Sequence, residues 1–342
     1  MIGAAFWAVK MQTAKRSTSF WQEFILLFNQ VLKGVGMAQP IINVENFRKT
    51  YAAFVAVDNI SFAVPPGEIF GLLGPNGAGK TTTLECLEGL RQPDSGRLTV
   101  AGFDPHKDAP KLRQVIGVQL QAAGMPEAMT PNEAMAFFCA YHQVTPRYDL
   151  LDRFGLSSKR KTQFHELSTG QQRRLALALA IAHEPQVLFL DEPTAGLDVA
   201  SRTELHAVMR ELRSKGTTII LATHDMAEAE QLSDRVAILL NGRIATIGTP
   251  LEITATGAGL TKVSVHTRDN LLRNGQHTFP AVEQVLEKEN YAIFFSRDIA
   301  QTVPALIAFV QAVQDELIDL RVERPSLEER FLELTNHQGK GA

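Results

Sequence analysis

EIFGLLGPNGAGKTTTLECLEGL, residues 68–90, is the stretch that decides the fold. Its first part is a short apolar run of strand length, and its last part, from near Thr81, patterns as a helix. Between them GPNGAGKT (74–81) has the spacing G-x-x-x-x-G-K-[ST]. The loop of Gly74, Pro75, Asn76, Gly77, Ala78 and Gly79 can wrap its backbone N–H groups, which Pro75 alone lacks, around phosphate oxygens at the positive end of a helix. Lys80 would bring a full charge to the β- and γ-phosphates, and the Thr81 hydroxyl would ligate Mg²⁺. Thr82 continues the same turn.

Working outward, apolar runs of strand character recur at 41–47, 60–64, 97–103, 115–120, 186–191, 217–224 and 236–248. The last holds Asn241 and Gly242, a two-residue hairpin signal. Helical patterning dominates 122–184. Strands alternating with helices predict an α/β fold with a mostly parallel core sheet, into which the helical block is inserted. Past about residue 256 the pattern changes to a small α+β arrangement, with a helix through Pro304–Asp315 and a last one at Ser326–Leu334.

Two further stretches carry chemistry. VLFLDE (187–192) is a buried strand that ends in carboxylates, and sites in open parallel sheets lie at such strand ends. Asp191 would hold Mg²⁺ through its water shell, and Glu192 could accept a proton from an attacking water. LSTGQQ (167–172) caps a long apolar helix, so Ser168 and the amides after it could receive an anion.

Composition narrows the class. The 342 residues carry 34 Lys+Arg against 37 Asp+Glu, a net −3, and this near-balance gives no basic field for nucleic acid. Two cysteines, Cys86 and Cys139, make no disulfide framework or zinc spacing, which fits a reducing, cytoplasmic setting. No run reaches the roughly 18 apolar residues of a membrane span. The first 37 residues hold four basic residues and one acid, +3, leaving −6 for the rest. Phe20, Trp21, Phe24, Ile25 and Phe28 fall there at helical spacing. Two readings stand: an amphipathic helix that touches a membrane surface, or an extension upstream of a start at Met37.

With these motifs in order, residues 41–250 resemble the nucleotide-binding subunit of an ATP-binding cassette (ABC) transporter. The resemblance implies a P-loop NTPase cassette spanning 38–256, with an antiparallel β subdomain, a helical insert at about 122–184 and an accessory domain at 257–342. It makes 74–81 the Walker A loop, 187–191 the Walker B strand and Glu192 the catalytic carboxylate. His224 becomes the switch histidine that orients the γ-phosphate. Gln121 becomes the Q-loop glutamine that senses Mg²⁺, with Gln119 a competing choice. Tyr51 would stack on adenine, and Ser168, Gly170 and Gln171 would contact the ATP of a second copy. Asp198 belongs to the D-loop and doubles as a helix N-cap. One departure is Thr169, where the family usually has glycine.

The resemblance further implies ATP hydrolysis with Mg²⁺, a homodimer, and a polytopic permease docked on 124–142 at the cytoplasmic face of the membrane. The Walker A segment and PSLEERFLELT (325–335) resemble the bacterial drug- and polysaccharide-exporter branch. The alternative is a soluble ABC-type ATPase acting on ribosomes or nucleic acid. Such proteins usually join two cassettes or carry long coiled coils, and this chain has neither.

Overall fold

The structure, a computed structural model, describes residues 39–120, 124–255, 260–274 and 277–338. Gln121 and the segment 1–37 lie outside the described residues. In chain order, β1 (Ile42–Tyr51) and β2 (Phe54–Val64) form a hairpin, and β3 (Ile69–Leu73) runs into helix α1 (Lys80–Leu87). Strand β4 (Ser95–Val100) returns to pair with β1, giving an antiparallel sheet in the order β2-β1-β4. A short helix α2 (Ala109–Leu112) precedes β5 (Ile116–Gln119). The helical block follows, with α3 (Pro131–Tyr141), α4 (Tyr148–Arg153) and α5 (Thr169–Ile181). Then come β6 (Val187–Asp191), α6 (Val199–Ser214), β7 (Thr218–Thr223), α7 (Met226–Leu232), β8 (Arg235–Leu240), β9 (Arg243–Gly248) and α8 (Pro250–Ala255).

The central sheet runs β5-β6-β7-β3-β8-β9. The first five strands in that order are mutually parallel, and β9 turns back antiparallel on β8. The turn is at Asn241 and Gly242, both at positive φ (51° and 75°), as a type I′ hairpin needs. The unbroken apolar runs of β6 and β7 follow from burial on both faces. Val187, Phe189, Ile220 and Ala222 point to a core shared with the antiparallel sheet and α1. Leu188, Leu190, Ile219 and Leu221 point to the opposite core, shared with α5, α6 and the helical block. At about 1.5–3 kcal/mol for each fully buried large side chain, these two layers fix the carboxyl ends of β3, β6 and β7 side by side.

The C-terminal part carries β10 (Thr261–Thr267), β11 (Val282–Lys288), β12 (Tyr291–Ser296), α9 (Ile299–Ala312) and β13 (Leu317–Glu323). They form an antiparallel sheet β11-β12-β10-β13, with Leu306 and Val310 of α9 buried against Val263, Val265 and Phe294. Helix α9 starts before Pro304 because Asp298 caps it, accepting the Ala300 amide at 2.9 Å.

The last helix, α10 (Leu327–Gln338), buries its apolar side elsewhere. Leu327 is fully buried in the cluster of Leu73, Met226, Ile238 and Ile253, with Phe331 and Leu334 packed beside it. The Leu327 amide donates to Glu230 Oε2 at 3.2 Å. The SLEERFLEL motif therefore clips onto α7, the helix that follows His224. Leu327→Ala should cost about 2–5 kcal/mol, read as a lower denaturant midpoint at an unchanged slope. A loss under about 0.5 kcal/mol would mean that the helix is dispensable.

Candidate active site

The phosphate loop links β3 to α1, and its glycines are set by close backbone approach. A Cβ on Gly74 would lie 2.4 Å from the Leu239 carbonyl oxygen. One on Gly79, at φ 101°, would lie 2.5 Å from that of Ala56. Lys80 is the first residue of α1 and is 6 % exposed. Its ammonium donates to the Gly74 carbonyl at 2.7 Å and the Pro75 carbonyl at 3.2 Å, and lies 4.0 Å from Glu192 Oε1. Burial lowers the Lys80 pKa, with Glu192 and Asp191 opposing. A buried cation held by two neutral carbonyls and one carboxylate is poised for a polyanion.

Thr81, next on α1, donates its hydroxyl to Asp191 Oδ2 at 2.9 Å. Asp191 ends β6, is buried, and leaves Oδ1 without a partner among the described residues. Desolvation is the main cause that raises its pKa. A hydroxyl and a carboxylate with a spare buried oxygen form a hard-oxygen donor set. Mg²⁺ takes such a set, since it binds through one or two carboxylates, phosphates and water. Among the described residues, no cluster of three His, Cys, Asp or Glu could hold a metal unaided.

Glu192 follows at once, 7 % exposed and in the left-handed region at φ 50°. For a residue with a Cβ this costs on the order of 1–3 kcal/mol and persists only where the surroundings impose it. They do so here. The Glu192 amide donates to the Ala222 carbonyl of β7 at 2.9 Å, and the Arg173 guanidinium donates to the Glu192 carbonyl. The carboxylate faces His224 Nδ1 at 2.8 Å from Oε1 and 2.7 Å from Oε2. His224 directly follows β7, so adjacent strand ends bring the pair together.

A 170 Å³ cleft is lined by Tyr51, Asn76, Gly77, Gly79, Lys80, Thr81, Thr82 and Glu192, together with Phe54 and Ala56. Tyr51 is thus placed beside the phosphate loop, with the Lys49 ammonium 5.6 Å and the Arg91 guanidinium 5.4 Å from its ring centre. Phe54, 59 % exposed across the hairpin turn from Tyr51, is a second aromatic that the sequence reading missed. Arg173 was missed as well, although its position five residues after Ser168, on the helix opened by the signature, is visible in the sequence.

Ser168, Gly170, Gln171 and Asp198 do not line this cleft. Ser168 caps α5, accepting the Gln171 amide at 3.3 Å, while Gln171 Oε1 accepts the Ser168 amide at 3.0 Å. Thr169 takes the first helical position without disturbing this capping box. Asp198 caps α6 through the Ser201 amide at 2.9 Å, which holds its carboxyl below the usual range. Gln119, the competing Q-loop choice, is buried at the end of β5, its Oε1 unpartnered among the described residues.

Residues 57–195 match the family described as "ABC transporter". The chain is 35 % identical over 309 residues to a daunorubicin resistance ATP-binding protein of Streptomyces coeruleorubidus, covering 87 % of this chain and 97 % of that protein. It is 36 % identical over 313 residues to a Nod factor export ATP-binding protein of Ralstonia nicotianae, covering 89 % and 96 %. A solved ATP-binding subunit of an ABC transporter superposes with a TM-score of 0.59 at 28 % identity, over 62 % of this chain and 91 % of that one. With its phosphate loop, strand-end carboxylates and fold, the chain belongs to the ATP-binding subunits of the ABC transporter family, which are ATPases.

Proposed function

We propose that the chain is the ATP-hydrolysing subunit of an exporter, working as a homodimer beneath a separate membrane permease. The observation that carries the reading is that Lys80, Thr81 and Glu192 line one cleft, with Asp191 bonded to Thr81 and His224 to Glu192, while Ser168 and Gly170 of the same chain lie outside it. A cleft lined on one side only needs a second copy to close it, with the signature of each copy facing the phosphate loop of the other. The symmetry is then a closed two-fold.

In this reading Gly74–Gly79 and Lys80 hold the β- and γ-phosphates, and Tyr51 stacks on the adenine. Thr81 and Asp191 would hold Mg²⁺, which, when bound, neutralises charge on the transferring phosphoryl group. Glu192 accepts the proton of the attacking water. His224, held by that same carboxylate, orients the γ-phosphate oxygens. Loss of the γ-phosphate removes the bridge between copies and releases them. Gln121 completes the set as the expected sensor, on sequence grounds alone.

Export is supported by likeness along nearly the whole chain to proteins named for drug resistance and Nod factor export. Nothing in the comparisons supports a ribosomal or nucleic-acid role. Among the described residues no helix is long and apolar enough to cross a membrane, and this reading puts the path in another chain. That chain would dock where β5 meets α3 and α5. Here a groove of about 350 Å³ is rimmed by the exposed Leu90, Leu120 and Tyr141. The subunit would thus sit on the cytoplasmic face of the membrane. Purification from detergent-solubilised membranes tests this. The expected result is a complex with a polytopic protein that retains ATPase activity. Recovery solely as a membrane-free species, or bound to RNA, would overturn it.

A further inference from the structure

Glu88 closes α1 at its C-terminal end and points into the docking groove. It is 4 % exposed, and its Oε2 has no hydrogen-bond partner among the described residues. Everything around it disfavours a lone carboxylate. The negative end of a helix dipole lies beside it. The charges that bear on it, Asp191 and Glu85, are both acidic, and with burial, the largest cause, they push its carboxyl up to about 8. Arg113 lines the groove, but among the described residues no cation pairs with Glu88. His142 and His183 stack there with ring centres 3.7 Å apart, and burial pushes both down, His183 to about 4. Gln119 Oε1 adds a second buried acceptor on the same wall, with no donor among the described residues. Orphaned buried polar atoms of this kind are rare in native proteins and call for a partner.

We propose that Glu88 is the anchor for a basic side chain, Arg or Lys, carried by the permease helix that docks in this groove. The proposal rests on the permease reading above and names the chemistry of its contact. The apolar rim takes the partner helix, and the acceptor floor takes one cation, which satisfies the orphan oxygen and offsets the acidic surroundings at once. A neutral donor would meet only the first need. The contact also has a mechanical sense. Glu88 and Lys80 lie at opposite ends of the same two-turn helix, so a permease that grips Glu88 holds the helix that begins at the phosphate loop.

The test uses the full chain co-expressed with the polytopic protein that co-purifies with the wild type. Glu88→Gln should bind that protein about 10- to 100-fold more weakly, the scale on which a desolvated charge pair is lost. Glu88→Gln alone should bind a fluorescent ATP analogue within twofold of wild type, which shows an intact fold. Glu88→Lys should abolish the complex, and changing the facing basic residue to Glu should restore it. A photo-crosslinker at Leu90 identifies the facing segment independently of any Glu88 variant. Binding of Glu88→Gln within twofold of wild type, or a crosslinked segment without Arg or Lys, overturns the anchor and leaves the permease reading standing. Failure of the wild-type chain to bring down any polytopic protein instead overturns that reading.

Discussion

Glu192→Gln should bind Mg-ATP with wild-type affinity and turn it over about 10²–10⁴-fold more slowly, the range a positioned general base contributes. The amide keeps the size of the carboxylate and can still accept one hydrogen bond from His224. The backbone at 192 is held by Ala222 and Arg173, neither of which involves the side chain. Geometry should therefore survive while basicity is lost. Phosphate release under single-turnover conditions reads the rate, and retained nucleotide reads the binding. A variant within tenfold of wild type would remove Glu192 from the role of base. Arg173→Ala offers a contrast, since it would loosen the backbone position of Glu192 while leaving its carboxylate in place.

Lys80→Ala should act on binding itself. The ammonium is buried among carbonyls and carboxylates, and a triphosphate would replace weak neutral partners with full charges. Removing one partner of a desolvated charge pair costs about 2–5 kcal/mol, or roughly 30- to several-thousand-fold in Kd for Mg-ATP. Titration with a fluorescent nucleotide measures it. An affinity within threefold of wild type would show that the loop amides alone hold the phosphates. The two variants thus separate holding from cleaving, although their side chains lie 4.0 Å apart.

Much of this was legible in the sequence because the physics is local. The fully buried runs of β3, β6 and β7 admit little but a two-faced sheet, and GPNGAGKT fixes a strand–loop–helix unit. Placement of Asp191, Glu192 and His224 at adjacent strand ends follows once the sheet is parallel. What escaped depended on tertiary context. The β1–β2 hairpin is longer than its alternation suggests, because register shifts after Val44 and the left-handed Asn46 bring Phe47 inward three residues after Val44. That extra length carries Tyr51 and Phe54 to the cleft. Arg173 could not be tied to Glu192 without knowing that the first half of α5 passes beside the carboxyl end of β6. The burial of Glu88 depends on a groove formed by elements far apart in the chain, and no local pattern announces a missing cation. Gln121 and the basic, aromatic segment 1–37 lie outside the described residues, so their sequence readings stand as expectations.

The central claim is that one chain carries two complementary faces of an ATP clamp and closes it with a second copy. Light scattering on purified Glu192→Gln, with and without Mg-ATP, addresses this directly. The account predicts a shift on adding Mg-ATP from the 37.6 kDa chain to a species of twice that mass, abolished by a second change, Ser168→Arg, in the signature. A Glu192→Gln protein that retains its nucleotide and yet stays at single-chain mass would contradict the account.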